Sequence, residues 1–117
     1  MQFALLIVEP PGQRATRTEA EGREAYAQMV AYAQALKAEG HLLAVESLLG
    51  DEQGRRLQRR EGRVRTVDGP FTEAKEMVGG FFLVQCAGMD EALALAARCP
   101  AAAWATVEVR PVGPCFA

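Results

Sequence analysis

Residues 68–80 read DGPFTEAKEMVGG, and this stretch concentrates the side chains most able to do chemistry. Asp68, Glu73 and Glu76 are carboxylates, and Lys75 is a cation set among them. Gly69 and Pro70 predict a sharp turn, because glycine accepts unusual dihedrals and proline fixes φ. Phe71 is expected to anchor that turn, and Thr72 to Met77 to form one helical turn. Upstream, residues 56–60 and 63–67 read as a hairpin around Glu61-Gly62. Val64, Thr66 and Asp68 share one parity, so an inward Val64 would carry Asp68 inward as well.

Glu46 has the strand parity of Leu42, Ala44 and Leu48. A carboxylate in that company must be hydrogen-bonded, paired or neutralised, and such groups serve as general acids or bases. Two carboxylates in different environments can divide those roles. Asp68 and Glu46 are therefore the candidate acid/base residues. Pro70, Phe71, Glu73, Lys75, Glu76 and Arg110 are candidate ligand contacts, with Lys75 or Arg110 as counter-charge. The plainer reading makes Asp68 a turn cap, Phe71 a core residue and Glu46 a solvated strand-edge charge.

Other chemistry is thin. His41, the only histidine, follows the helix-stopping Gly40 and is expected to interact with the helix end. No Ser/His/Asp triad, HExxH, GxGxxG or phosphate-binding loop is present. One histidine and scattered cysteines argue against a metal site, and no cofactor is indicated. Arg55, Arg56, Arg59, Arg60, Arg63 and Arg65 form a basic cluster, but no aromatics are interleaved for base stacking. Arginines also protect a hairpin edge from aggregation, which is the reading preferred over nucleic acid.

The elements that must position these residues follow from periodicity. Residues 2–8 are apolar at both parities, the pattern of a strand buried on both faces. Thr18 and Glu21 form a capping box for a helix running to about Glu39, with Tyr26, Met29, Ala33 and Leu36 as its buried stripe. Gly40 stops it in the left-handed cap position. Residues 41–49, 81–86 and 104–110 read as strands. Asp90 is expected to cap a short helix from Glu91 to about Arg98. The order is βαβ, hairpin, βαβ, which predicts one α+β domain over residues 1–117 with a ferredoxin-like antiparallel sheet and both helices on one face.

The chain has 117 residues, half of them hydrophobic, and a formal charge of −2. That is the size of one domain, with no global pull toward nucleic acid or an anionic membrane. No apolar run approaches the roughly 20 residues of a membrane span. The N-terminal apolar run lacks a basic leader and a cleavage site, so it reads as a strand. Three cysteines without metal-type spacing suggest a reducing compartment, hence the cytoplasm. The helix-free face of the sheet would expose apolar side chains, which predicts a homodimer through that face.

DGPFTEAKE followed by GGFFLV resembles the DGPF branch of the YCII-related family. AEGHLLAVESL, MDEALALAARCP and VEVRPV lie in register with the same pattern, so the resemblance spans nearly the whole chain. It implies a ferredoxin-like fold forming a dimeric α/β barrel. It also implies a site location at Glu46, Asp68, Pro70, Phe71, Glu73, Lys75 and Glu76. The wider family is proposed to use a His–Asp pair with the histidine on the first helix. This chain has none there, so that mechanism is not carried over. The expected function is binding or acid/base conversion of a small organic molecule near the DGPF loop. The alternatives are a non-catalytic regulatory module associated with an alternative sigma factor, or a dimer whose motif only shapes the fold.

Overall fold

A computed structural model describes residues 1–117. Strand β1 spans Gln2–Glu9, helix α1 Glu19–Ala38 and strand β2 Leu42–Ser47. A hairpin of β3 (Arg55–Arg60) and β4 (Arg63–Asp68) follows. Strand β5 spans Met77–Gln85, helix α2 Met89–Ala97 and strand β6 Thr106–Pro111. The expected order of elements is therefore present. The four longer-range strands form an antiparallel sheet in the order β2-β5-β1-β6, and the hairpin forms a separate two-stranded sheet.

The two central strands are β1 and β5, the most apolar of the chain. Phe3, Leu5 and Ile7 face inward from β1, with Phe82 and Val84 beside them on β5. Tyr32 and Leu36 of α1 and Ala92, Leu95 and Ala96 of α2 complete that core, so both helices cover one face. The molecule measures 46 × 42 × 19 Å, and its short dimension is about one sheet plus one helix layer. The other face is bare. Across it runs the row Glu46, Phe81, Leu6, Glu108, and beside it Ala44, Leu83, Ala4, Arg110. Residues opposite one another on antiparallel strands share a face.

The sheet of one chain is open, not a closed barrel: β2 and β6 are free edges. Four strands are too few to curl around a filled interior, which takes about eight. No helix is long and apolar enough to cross a membrane.

Local signals explain the ends of α1. The Thr18 hydroxyl accepts the Glu21 N–H while the Glu21 carboxylate accepts the Thr18 N–H, the reciprocal capping box. Gly40 has φ +82°, and the N–H groups of Gly40 and His41 return to Lys37 and Leu36 carbonyls. The buried stripe differs from expectation. Tyr26 is 60 % exposed, while Tyr32 is buried and donates its hydroxyl to the Leu95 carbonyl at 2.7 Å. The helix lies on the sheet through its C-terminal half and leans away at its start.

Other boundaries shift. Thr72 to Met77 form no helical turn; one turn closes from Ala74 N–H to Phe71 C=O, and β5 begins at Met77. Gly88, not Asp90, is the N-cap of α2, with Asp90 and Glu91 in its first turn. Trp104 lies just before β6, at the end of a 3₁₀ turn over Pro100–Ala103. Cys86 and Cys99 are buried as small apolar side chains, and burial pushes the Cys99 thiol pKa up.

Candidate functional site

Because α1 leans away at its start, a cleft of about 730 Å³ opens between it and the sheet. Ile7, Val45 and Phe82 line it from the sheet, Tyr26 and Met29 from α1 and Trp104 from beside them, while Arg17, Glu19 and Lys37 put charge on the same lining. That volume is in the range of small-molecule sites. Arg17 lies over the Trp104 ring at 5.5 Å, a cation–π contact that holds the rim.

A carboxylate sits at one end of this cleft. Glu9 continues the inward parity of Phe3, Leu5 and Ile7 and is only 5 % exposed. Arg14, on the 3₁₀ turn Arg14–Thr16, reaches back to it, and its Nε donates to Glu9 Oε1 at 2.6 Å. The same guanidinium donates to the carbonyls of Leu48 at 2.7 Å and Gly79 at 3.2 Å. One planar fork therefore ties the end of β1 to the chain after β2 and the start of β5, a task lysine could not perform. Glu9 Oε2 accepts no hydrogen bond from the protein and keeps contact with solvent; the one buried side-chain atom left without a partner is Gln13 Oε1. Glu9 lines both the main cleft and a smaller one of about 390 Å³.

The sheet yields locally to make room. Ile7 pairs with Gly80 and Val8 with Val78, so Gly79 is the extra residue of a bulge. A Cβ on Gly79 would lie 2.7 Å from Arg14 Nη2 and 2.8 Å from Glu9 Oε2. A side chain here would therefore have to displace the ion pair packed against the glycine.

The residues expected from sequence are not gathered at one point. Glu46 lies on the bare-face row and is exposed, and it is also among the residues that line the main cleft with Glu9. Asp68 does not point inward: its side chain is 79 % exposed and pairs with Arg55 at 3.1 Å. The expected inward Val64 is itself 53 % exposed, because the hairpin lies on no other element. Lys75 and Glu76 line the smaller cleft with Glu9 and Trp104. Glu73 reaches Arg56 at 3.8 Å. Arg110 is on the bare face, 3.6 Å from Glu108. Pro70 is exposed and follows a cis Gly69–Pro70 peptide.

The DGPF turn closes on the 3₁₀ turn Asp51–Gln53. Gly69 N–H donates to the Gly54 carbonyl at 2.9 Å, and Phe71 N–H to Asp51 Oδ2 at 3.3 Å. A Cβ on Gly69 would overlap the Asp51 carbonyl oxygen. Phe71 is buried, as expected of an anchor, and Arg56 stacks on its ring at 4.0 Å. His41 does not cap α1 with its ring; Nδ1–H donates to the Gln85 carbonyl at 2.8 Å. No group of three or more His, Cys, Asp or Glu side chains is placed to hold a metal ion.

Glu9 and Arg14 are the functional candidates that sequence reasoning missed. The available signal was parity: a charge at the fourth inward position of an apolar strand needs a partner.

These features define a small α+β protein with an open antiparallel sheet and a ligand-sized cleft ending in a buried carboxylate. The chain belongs to the YCII-related family, whose domain model matches residues 1–115. It is also similar to an uncharacterised protein of Rhizobium meliloti (strain 1021), at 41 % identity over 54 residues. That alignment covers 46 % of this chain and 44 % of the relative, so the match spans less than half of either.

Proposed function

We propose that this protein binds a small organic molecule in the cleft beneath α1, with Glu9 as the group that exchanges a proton or hydrogen bond with it. The observation that carries this reading is the state of the Glu9 carboxylate. One oxygen is held by Arg14, and the other has no partner in the protein and borders the cleft. A carboxylate so held is pre-oriented, which is what acid/base chemistry requires of its catalyst. The apolar half of the lining suits an aromatic or aliphatic body, and Glu9 suits a hydroxyl, amine or activated C–H at its end. Lys75 and Glu76, from the DGPF segment, approach Glu9 through the smaller cleft. In this reading they tune the site, while Asp68 and Phe71 hold the loop that presents them.

The DGPF turn supports placing the chain in the DGPF branch, and the strand order β2-β5-β1-β6 supports a ferredoxin-like arrangement. The bare apolar sheet face supports a homodimer.

Fragment screening by ¹⁵N–¹H correlation spectra tests the cleft reading. Hits should shift the amides of Ile7, Glu9, Tyr26 and Gly79, and Glu9→Gln should weaken those bearing a hydrogen-bond donor. Hits that cluster elsewhere, or that ignore Glu9→Gln, would overturn it.

A further inference from the structure

We infer that the cleft beneath α1 takes a carboxylic acid with an apolar body, and that Arg17 is the residue that holds its carboxylate. The inference rests on the cleft reading above and names the chemical class of ligand for that site.

Arg17 follows the 3₁₀ turn that carries Arg14, lines the cleft and is half-buried. Its guanidinium lies over the Trp104 ring at 5.5 Å and takes part in none of the ion pairs of the chain. The carboxylates of the same cleft and helix start are engaged elsewhere. Glu9 is held by Arg14, Glu19 pairs with Arg23 at 2.8 Å, and Glu21 accepts the Thr18 N–H. A guanidinium partly withdrawn from water, with its donors free, suits a planar anion that accepts two parallel hydrogen bonds. The contact with Trp104 restricts the side chain before any ligand arrives, which lowers the ordering cost of binding.

The other cations of the lining do not compete. Arg14 is committed to Glu9 and two backbone carbonyls. Lys37 is exposed on the last turn of α1. That helix runs back over the sheet, because His41 just beyond it meets the Gln85 carbonyl, and Gln85 pairs with Gln2 at the start of β1. At 1.5 Å per residue Lys37 lies about 27 Å along α1 from its first residue. Glu9 is at the far end of β1, and it shares the smaller cleft with the same Trp104 that Arg17 covers. Arg17 and Glu9 therefore occupy one end of the main cleft and Lys37 the other.

This placement sets the outline of the ligand. A carboxylate on Arg17 and a hydroxyl, amine or activated C–H on Glu9 belong to one polar head. The apolar body lies along Ile7, Phe82, Val45 and Met29. One free cation matches one negative charge. A phosphate dianion would meet Glu9 and Glu46 in the same cleft with only Arg17 to offset it. Carboxylic acids that carry a hydroxyl or amine on the α carbon and an apolar side chain fit this outline.

Trp104 is the single tryptophan of the chain, so its fluorescence reads binding directly. The probes are phenyllactate, its carboxamide, and phenylpropanoate, which lacks the hydroxyl. Phenyllactate should bind wild-type protein at least about ten-fold more tightly than the carboxamide, as one charge-assisted pair provides. Arg17→Met should bring that ratio close to one, and Arg17→Lys should restore part of it. Glu9→Gln should weaken phenyllactate and leave phenylpropanoate unchanged. The comparison of acid with carboxamide needs only wild-type protein, so it decides the matter even where a variant fails to fold. Equal affinity for acid and carboxamide, with both shifting the Ile7 and Gly79 amides, would overturn the carboxylate assignment and keep the cleft. An acid preference that survives Arg17→Met would overturn the role of Arg17. Failure of phenyllactate to bind while neutral fragments occupy the cleft would overturn this inference alone, and failure of both would overturn the cleft as well.

Discussion

Glu9 and Arg14 are bound to each other at 2.6 Å where the end of β1 meets the open cleft, with Glu9 buried and Arg14 about a third exposed. The pair is five residues apart in sequence, yet its geometry depends on strands far along the chain. Arg14 also holds the Leu48 and Gly79 carbonyls, so it organises three segments around one carboxylate. Removing one partner of such a pair leaves the other charge uncompensated.

A double-mutant cycle measures that coupling. Glu9→Gln and Arg14→Met should each destabilise the fold by about 2–4 kcal/mol, the lower part of the buried-pair range extended downward because Arg14 is partly exposed. The double variant should cost clearly less than the two summed. Urea denaturation of the four proteins checks this; strict additivity would show that the pair does not act as a unit.

Two glycines should respond for different reasons. Gly79→Ala pushes against side-chain ends that are locked in the ion pair and should lower stability by about 1–3 kcal/mol. Adding Glu9→Gln or Arg14→Met should relieve part of that cost. Gly69→Ala pushes against the backbone carbonyl of Asp51, which no side-chain change relieves. It should open the DGPF turn, seen as shifted Gly54 and Phe71 amides, while the main sheet remains.

Tyr32 joins the helices. Its ring meets Phe82 edge-on at 5.1 Å, and its hydroxyl donates to the Leu95 carbonyl. Burial drives its pKa upward, so the phenol stays protonated at any ordinary pH. Tyr32→Phe keeps the ring contact and loses only the hydrogen bond. The expected cost is about 0.5–1.5 kcal/mol, read by calorimetry as a fall of roughly 2–6 °C in Tm across that range.

Arg98 donates to both oxygens of Glu39, at 2.7 and 2.6 Å, and so clips the end of α1 to the end of α2. Those hydrogen bonds hold the Glu39 carboxyl below its ordinary value of 4.5. A carboxylate with a depressed folded-state pKa contributes stability above the unfolded value and loses it as pH falls through the folded one. The Tm gap between wild type and Glu39→Gln should therefore be full above about pH 5.5 and close in acid below 4.5. A gap that stays constant down to pH 3 would show that the pair contributes no charge-dependent stability.

Much of the architecture was legible in local pattern. The Thr18–Glu21 box and Gly40 set the ends of α1 because their hydrogen bonds lie within a few residues. Residues 2–8, apolar at both parities, read as a strand from their own pattern, and the strand order puts them at the sheet centre beside 81–86. Burial of Phe71 followed from its size. The direction of Asp68 did not, because parity says which residues share a face and not whether that face meets anything. The hairpin meets nothing in its own chain, so both parities are exposed. Tyr26 failed likewise: helical spacing defines a stripe, and only the lean of α1 decides where along it contact stops.

By itself the sequence determined the element types, the ends of α1 and the DGPF turn, all of which depend on neighbours along the chain. It also placed a charge, Glu9, at the end of an apolar parity. The tertiary structure alone decided that Arg14 reaches it, that a bulge at Gly79 leaves the space, and that the cleft opens on that spot. Those outcomes rest on contacts among residues 9, 14, 48 and 79, whose spacing along the chain has no period and is set only when three strands meet.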